Sequence, residues 1–197
     1  MRRPLQFNSF LESQENSGVR IFCDLDGVLV DFDRGFAEIP ENSDQLLPSE
    51  YEEEHGKNSI WALIDKYGES YWSELYWKND GRELWDYLEE YKPIILSSPS
   101  RSQDSITGKT KWVRLNLGIK QQPITKRTDQ TPDSRLILMQ QKHLFATGPN
   151  DILIDDTRSK IDKWVEAGGT GILHNDSTDT IKVLETILER IREGSQT

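Results

Sequence analysis

Cysteine is nearly absent from this chain: Cys23 is the only one in 197 residues, so no disulfide can form within it. That excludes a small disulfide-stapled scaffold. No apolar run approaches the roughly 20 residues that a membrane-spanning helix needs. The first residues, Met1-Arg2-Arg3-Pro4, lead into mixed polar sequence and not into the apolar stretch of a secretory signal. The expectation is a cytoplasmic protein with no membrane partner. Basic residues are also outnumbered, 24 Lys and Arg against 34 Asp and Glu, for a formal net charge of −10. This disfavours nucleic acid polymers as partners, because their binding depends on phosphate neutralisation by Lys and Arg. A small anionic substrate remains possible, since a local cluster of cation, Lys and backbone N–H can hold one phosphate in an acidic protein. Apolar residues make up only 35%, yet six Trp, six Tyr and six Phe argue against disorder.

The chain is organised around residues 19–33, VRIFCDLDGVLVDFD. Val19, Ile21, Phe22 and Cys23 read as a buried strand, and Asp24-Leu25-Asp26-Gly27 follows at its end. Ligands of open α/β sheets collect at the carboxyl ends of strands. Two carboxylates and a glycine there suit a divalent cation better than they suit a core. Asp-x-Asp-Gly is also an ordinary turn sequence. An EF-hand is disfavoured, because Val28, Leu29 and Val30 stand where that loop needs further oxygen ligands.

Downstream, strand-like and helix-like stretches alternate, which predicts an α/β fold with a parallel sheet. Residues 93–96 read as a second buried strand ending in Ser97-Ser98. Residues 105–117 read as a helix with Trp112, Val113 and Leu117 facing inward and Gly118 as its stop. A short strand is expected near 123–125, turns over 128–133, and an apolar run of undetermined type at 136–139. Residues 151–154 form a third buried strand, ending in Asp155-Asp156. A helix over 159–167 should present Ile161, Trp164 and Val165 on one face. A last strand at 171–173 precedes an amphipathic helix, capped by Ser177 or Thr178, that carries Ile181, Val183, Leu184, Ile187, Leu188 and Ile191. Residues 1–17 read as an arm with a marginal element around 5–11. Residues 34–91 show helical spacing at Ile60, Trp61, Leu63, Ile64 and Tyr67, and again at Leu84, Trp85, Leu88 and Tyr91.

Asp24-Leu25-Asp26-Gly27-Val28-Leu29, Ser97-Ser98, Lys109 and Asp155-Asp156, in that order, resemble the four-part signature of the haloacid dehalogenase-like (HAD) phosphohydrolases. Asp31-Phe32, the ILSSP segment and Lys109-Thr110-Lys111-Trp112-Val113 resemble its cytosolic-type 5′(3′)-deoxyribonucleotidase branch. The resemblance runs from Ile21 to about Leu173. It implies a Rossmann-like parallel sheet flanked by helices, formed by residues 1–33 and 92–197, with a small helical C1-type cap inserted as residues 34–91. It also implies a Mg²⁺-dependent phosphomonoester hydrolase, most specifically a 5′-nucleotidase for (deoxy)nucleoside monophosphates. Asp24 would be nucleophile and metal ligand. Asp26 would ligate through its carbonyl and act as acid and base. Asp155 and Asp156 would complete the metal site, without a distinction between them. Ser97, Ser98 and Lys109 would hold the phosphoryl oxygens, with Arg101, Lys111 and Lys142 as lesser alternatives to Lys109. Phe32, Tyr71 and Trp72 would hold the base, and Trp77 is a looser candidate; the cap aromatics read equally as the core of a small helical bundle.

Each motif has a plainer reading. Asp155-Asp156 could stabilise a helix N-terminus, and Ser97 or Ser98 could cap a helix. One departure stands out: many relatives place Asp or Asn four residues beyond the metal Asp, where this chain has Ser159 and Lys160. Three other functions fit parts of the pattern: a sugar-phosphate phosphatase, a catalytically idle nucleotide- or phosphate-binding module, and a phosphatase acting on nucleic acid ends.

Overall fold

The computed structural model describes residues 18–126 and 134–194. The expected arm over 1–17 and the turns over 128–133 lie outside the described residues. Five parallel strands form one sheet in the order β3-β2-β1-β4-β5. They are β1 (Arg20–Cys23), β2 (Ile94–Ser97), β3 (Leu136–Leu138), β4 (Asp151–Asp155) and β5 (Thr170–Leu173). The fold is therefore α/β and Rossmann-like. The run at 136–139 is a strand. The expected strand at 123–125 is reduced to a single bridge, Ile124 to Ile137.

β1 lies at the centre, pairing Phe22 with Ile94 of β2 and with Leu153 of β4. Alternation along β1 sends Ile21 and Cys23 to one face and Phe22 to the other. Ile21 and Cys23 join a core with Ile95, Ile152, Trp112, Leu184 and Leu188. Phe22 joins Leu96, Leu153, Ile161 and Trp164 in a second core on the opposite face. There Phe22 meets Trp164 edge-on at 5.0 Å, and Trp164 Nε1 donates to the Asp151 carbonyl at 3.0 Å. Both faces are covered, so the strands can be apolar throughout.

Five α-helices and a short 3-10 helix (Glu89–Tyr91) separate β1 from β2; the α-helices are α1 (Phe32–Ala37), α2 (Pro48–His55), α3 (Ser59–Ile64), α4 (Gly68–Ser73) and α5 (Gly81–Leu88). The longer α6 (Gln103–Leu117) follows β2; α7 (Arg158–Glu166) joins β4 to β5, and α8 (Ser177–Gly194) follows β5. Ser102 caps α6 by accepting from Asp104 N at 3.2 Å, and Gly118 ends it in the left-handed region at φ 70. Two helix faces differ from the sequence expectation. Val165 is 52% exposed and Val183 45% exposed. Each directly follows or precedes a buried neighbour, Trp164 and Leu184, and an advance of one residue rotates a helix position by about 100°, off the core-facing stripe.

α4 and α6 approach closely at Gly108. A Cβ there would meet Trp72 Cβ at 2.5 Å and the Glu69 carbonyl at 2.6 Å. Trp112 Nε1 adds a hydrogen bond to the Leu75 carbonyl at 2.7 Å. The helices inserted after β1 are thus held against the helix that follows β2.

Candidate active site

Because the strands are parallel, their carboxyl ends share one edge of the sheet. Asp24 follows β1, Ser97 ends β2 and Asp155 ends β4. Asp24 N donates to the Ile154 carbonyl at 2.9 Å, which fixes Asp24 beside the acidic end of β4. After Asp24 the chain turns tightly. Gly27 N donates to Val30 O at 2.8 Å and Leu29 N to Leu25 O at 2.9 Å. Lys78 Nζ holds the Gly27 carbonyl at 2.7 Å. Gly27 has φ +78, and a Cβ on it would overlap the Asp156 carboxylate.

Asp24, Asp155 and Asp156 offer carboxylate oxygens within 4.8 Å of one another, a set that can hold a metal ion. Hard oxygen donors of this kind suit Mg²⁺. Asp155 is tied on both oxygens, to Lys142 Nζ at 2.6 Å and to Thr157 N at 2.9 Å. Asp156 is more open than Asp155, and its one hydrogen bond among the described residues is a 3.3 Å contact from the Thr157 hydroxyl. Of the pair, Asp156 is the freer ligand.

Lysines meet these carboxylates. Lys109, buried on α6, donates to Asp26 Oδ2 and to Ser97 Oγ, the latter at 3.0 Å. Lys142, buried in a short 3-10 turn before β4, lies 2.7 Å from Asp24 Oδ2 and 2.6 Å from Asp155 Oδ2. Lys160 reaches Asp24 Oδ2 at 3.4 Å and Asp155 Oδ1 at 3.9 Å. Burial alone would raise the Asp24 carboxyl, but Lys142 and Lys160 outweigh it and hold Asp24 well below the usual carboxylate range. Asp155 goes the other way: burial and then the charge of Asp24 push it up to about 6. Asp156 is raised by burial and by Asp24 in the same manner.

Two buried oxygens here have no hydrogen-bond partner among the described residues, Asp26 Oδ1 and Ser98 Oγ. Both residues line a cavity of about 610 Å³. Phe32, Trp61 and Trp72 form its aromatic wall. Phe32 and Trp72 stack at 5.8 Å and 30°, and Trp61 and Trp72 at 6.5 Å and 15°. Asn58, Asp65, Arg101, Gln140 and Lys160 supply its polar lining. Lys109 Nζ sits 4.9 Å from the Trp72 ring centre, so aromatic wall and carboxylates adjoin.

Of the residues expected from sequence, Asp24, Asp26, Ser97, Ser98, Lys109, Asp155 and Asp156 gather at this edge, and Phe32 and Trp72 face the cavity. Tyr71 does not line it; it is buried behind, edge-on to both Phe32 and Trp72. Trp77 packs on Trp112 instead. Lys142, a lesser alternative in the sequence, is as deeply placed as Lys109. Lys160 was visible only as a departure, and Trp61 only as one of a helix's periodic apolar residues. The one local signal for Lys142 is that a lysine between two apolar strands is costly to bury unless an acid receives it.

No protein-family model and no curated protein matches the chain. Among solved structures it is similar to a hydrolase from Streptococcus pneumoniae TIGR4, with a TM-score of 0.50 at 11% identity over 84% of this chain and 97% of that one. It is also similar to a HAD-superfamily hydrolase from Ehrlichia chaffeensis, with a TM-score of 0.47 at 15% identity over 88% and 96% of the two chains. A HAD family enzyme from Bacteroides thetaiotaomicron, in complex with magnesium and inorganic phosphate, gives 0.39 at 14% identity over 80% and 94%. These are likenesses of fold. No helix among the described residues is long and apolar enough to cross a membrane.

Proposed function

We propose that this chain is a HAD-type phosphohydrolase dependent on Mg²⁺, acting on (deoxy)nucleoside monophosphates as a 5′-nucleotidase. One observation carries the reading. Asp26 Oδ1 and Ser98 Oγ are buried without partners among the described residues, in two side chains that border a cavity, beside a second carboxylate and a buried lysine. Unsatisfied buried oxygens of this kind call for a polar ligand. A phosphomonoester fits: the Ser98 hydroxyl and Lys109 can donate to its oxygens, and Asp26 can hand a proton to its ester oxygen.

Asp24, Asp156 and the Asp26 carbonyl would hold the metal, with Asp155 fixing Lys142 beside them. The metal would supply positive charge where a dianionic ester meets an attacking carboxylate. A carboxylate oxygen of Asp24 attacks phosphorus, and the bond from phosphorus to the ester oxygen breaks. That oxygen leaves with a proton from Asp26. Asp26 then takes a proton from water as the water attacks the aspartyl-phosphate. The Asp24–phosphorus bond breaks, releasing phosphate and restoring the Asp24 carboxylate and the protonated Asp26. Lys142 and Lys109 offset the charge at Asp24 and Asp26 throughout. The helices of residues 34–91 act as a cap, and Phe32, Trp61 and Trp72 offer faces on which a base stacks.

The test is phosphate release, with and without Mg²⁺, from nucleoside monophosphates, sugar phosphates and 3′-phosphorylated oligonucleotides. Deoxynucleotides should lead, and chelator or Asp24→Asn should abolish turnover. A lead by sugar phosphates would remove the nucleotide specificity. Binding of a nucleotide with no turnover at all would remove the enzyme.

A further inference from the structure

Lys160 and Lys142 reach the same oxygen, Asp24 Oδ2, but are held very differently. Lys142 is buried, and its contacts to Asp24 and Asp155 are 2.7 and 2.6 Å. Lys160 is 32% exposed at its side chain, and its contacts are longer, at 3.4 and 3.9 Å. It stands in the first turn of α7, four residues after Asp156, and its side chain borders two spaces. One is the large cavity with Asp26 and Ser98. The other is a cleft of about 180 Å³ with Gly27, Asp156 and Thr157. Its ammonium therefore lies in the field of the three carboxylates that can hold a metal, and its side chain borders the same cavity as Asp26 and Ser98.

An ammonium and a divalent cation repel each other strongly at such separations. Asp24, Asp26, Asp155 and Asp156 face Lys109, Lys142 and Lys160: four carboxylates against three ammoniums. The cluster is already close to neutral with Lys160 in place. Adding a dication reverses its sign, and the loosest ammonium is the one to move.

We propose that Lys160 is an exchangeable cation of this site. It rests on the metal-binding carboxylates when the metal is absent, and it swings into the cavity to hold a phosphoryl oxygen when the metal is bound. The proposal rests on the phosphohydrolase reading and deepens it. Lys160 weakens metal binding in the empty site and strengthens phosphate binding in the metal-loaded one. It therefore makes each ligand improve the other's affinity, and by linkage the coupling is reciprocal. The four-carbon stem of lysine suits the movement, because the charge travels while the backbone of α7 stays in place.

The experiment is calorimetric titration of Mg²⁺ into the full chain, as wild type, Lys160→Gln and Lys160→Arg, each with and without saturating inorganic phosphate. Lys160→Gln should bind Mg²⁺ about tenfold more tightly than wild type without phosphate, and should lose most of the gain that phosphate confers, within the usual range of coupling between sites. Lys160→Arg keeps the charge and should stay near wild type. Equal or weaker Mg²⁺ binding by Lys160→Gln would overturn the proposal, as would an undiminished phosphate effect. Mg²⁺-dependent turnover by the wild type decides the underlying reading separately. If the wild type binds no Mg²⁺ and shows no such turnover, reading and proposal fall together.

Discussion

Gly27 and Asp156 occupy adjoining space, so that any side chain on the first would displace the carboxylate of the second. The turn after β1 and the acid after β4 are thus fitted to each other. Gly27→Ala should cost about 1–2 kcal/mol for its left-handed backbone. It should also push Asp156 out of the cluster. Calorimetric titration should show Mg²⁺ affinity reduced by about tenfold or more, while circular dichroism shows the fold retained. Unchanged metal affinity would remove Asp156 from the metal site.

Lys142 is the counterion of two buried carboxylates, Asp24 and Asp155. Lys142→Met leaves them side by side without it, and breaking a buried pair from one side costs about 3–5 kcal/mol. Denaturant unfolding without metal should report a loss of that order. Saturating Mg²⁺ should recover more stability for the variant than for the wild type, because it restores positive charge at the same carboxylates. A variant as stable as wild type in chelator would contradict this placement of charge.

Trp61 borders the cavity with Phe32 and Trp72. Base stacking on an aromatic ring is worth roughly 1–3 kcal/mol. Trp61→Ala should raise KM for nucleoside monophosphates roughly tenfold and leave glycerol phosphate hydrolysis within about twofold. Equal losses on both substrates would mean that Trp61 supports the helices and does not contact the base.

Arg20 and Asp151 form a paired contact at the other end of the sheet, with Nε to Oδ1 and Nη2 to Oδ2 both at 2.7 Å. Burial would raise the Asp151 carboxyl, but Arg20 and the Thr147 N–H and hydroxyl bring it below its ordinary value of 3.8. A depressed folded value means stability that is present above 3.8 and is lost as pH falls below it through the folded value. Urea unfolding between pH 6 and 2 should show this loss, and Asp151→Asn should flatten that part of the slope. An unaltered slope would assign acid sensitivity to other carboxylates.

The alternation of apolar strands with periodic helices is enough to read four of the five strands, because both faces of the sheet are covered and strand residues on either face are apolar; β3 is a short run whose type the sequence leaves open, and the strand expected at 123–125 is only a bridge. Ile21 and Phe22 point opposite ways yet look alike in sequence. Helix faces were less legible: Val165 and Val183 are apolar residues beside the stripe, and only packing against β5 and its neighbours distinguishes them. The clustering of Asp24, Ser97 and Asp155 follows from parallel strands, whose ends must share an edge. Lys142 carries little signal in the sequence because its partners lie far along the chain, at Asp24, and across a strand, at Asp155. The split between Trp61 and Tyr71 depends on which side of Phe32 each ring takes, a matter of helix rotation that spacing does not encode.

The single thiol lies at the end of the central strand, fully buried in the larger core. Burial, together with the neighbouring Asp24 charge, also raises its pKa, so that very little thiolate exists at neutral pH. An alkylating reagent can then reach Cys23 only when β1 itself opens, and that strand leads directly into Asp24. Labelling rate thus serves as a built-in clock for the lifetime of the intact carboxylate edge, readable without any engineered probe.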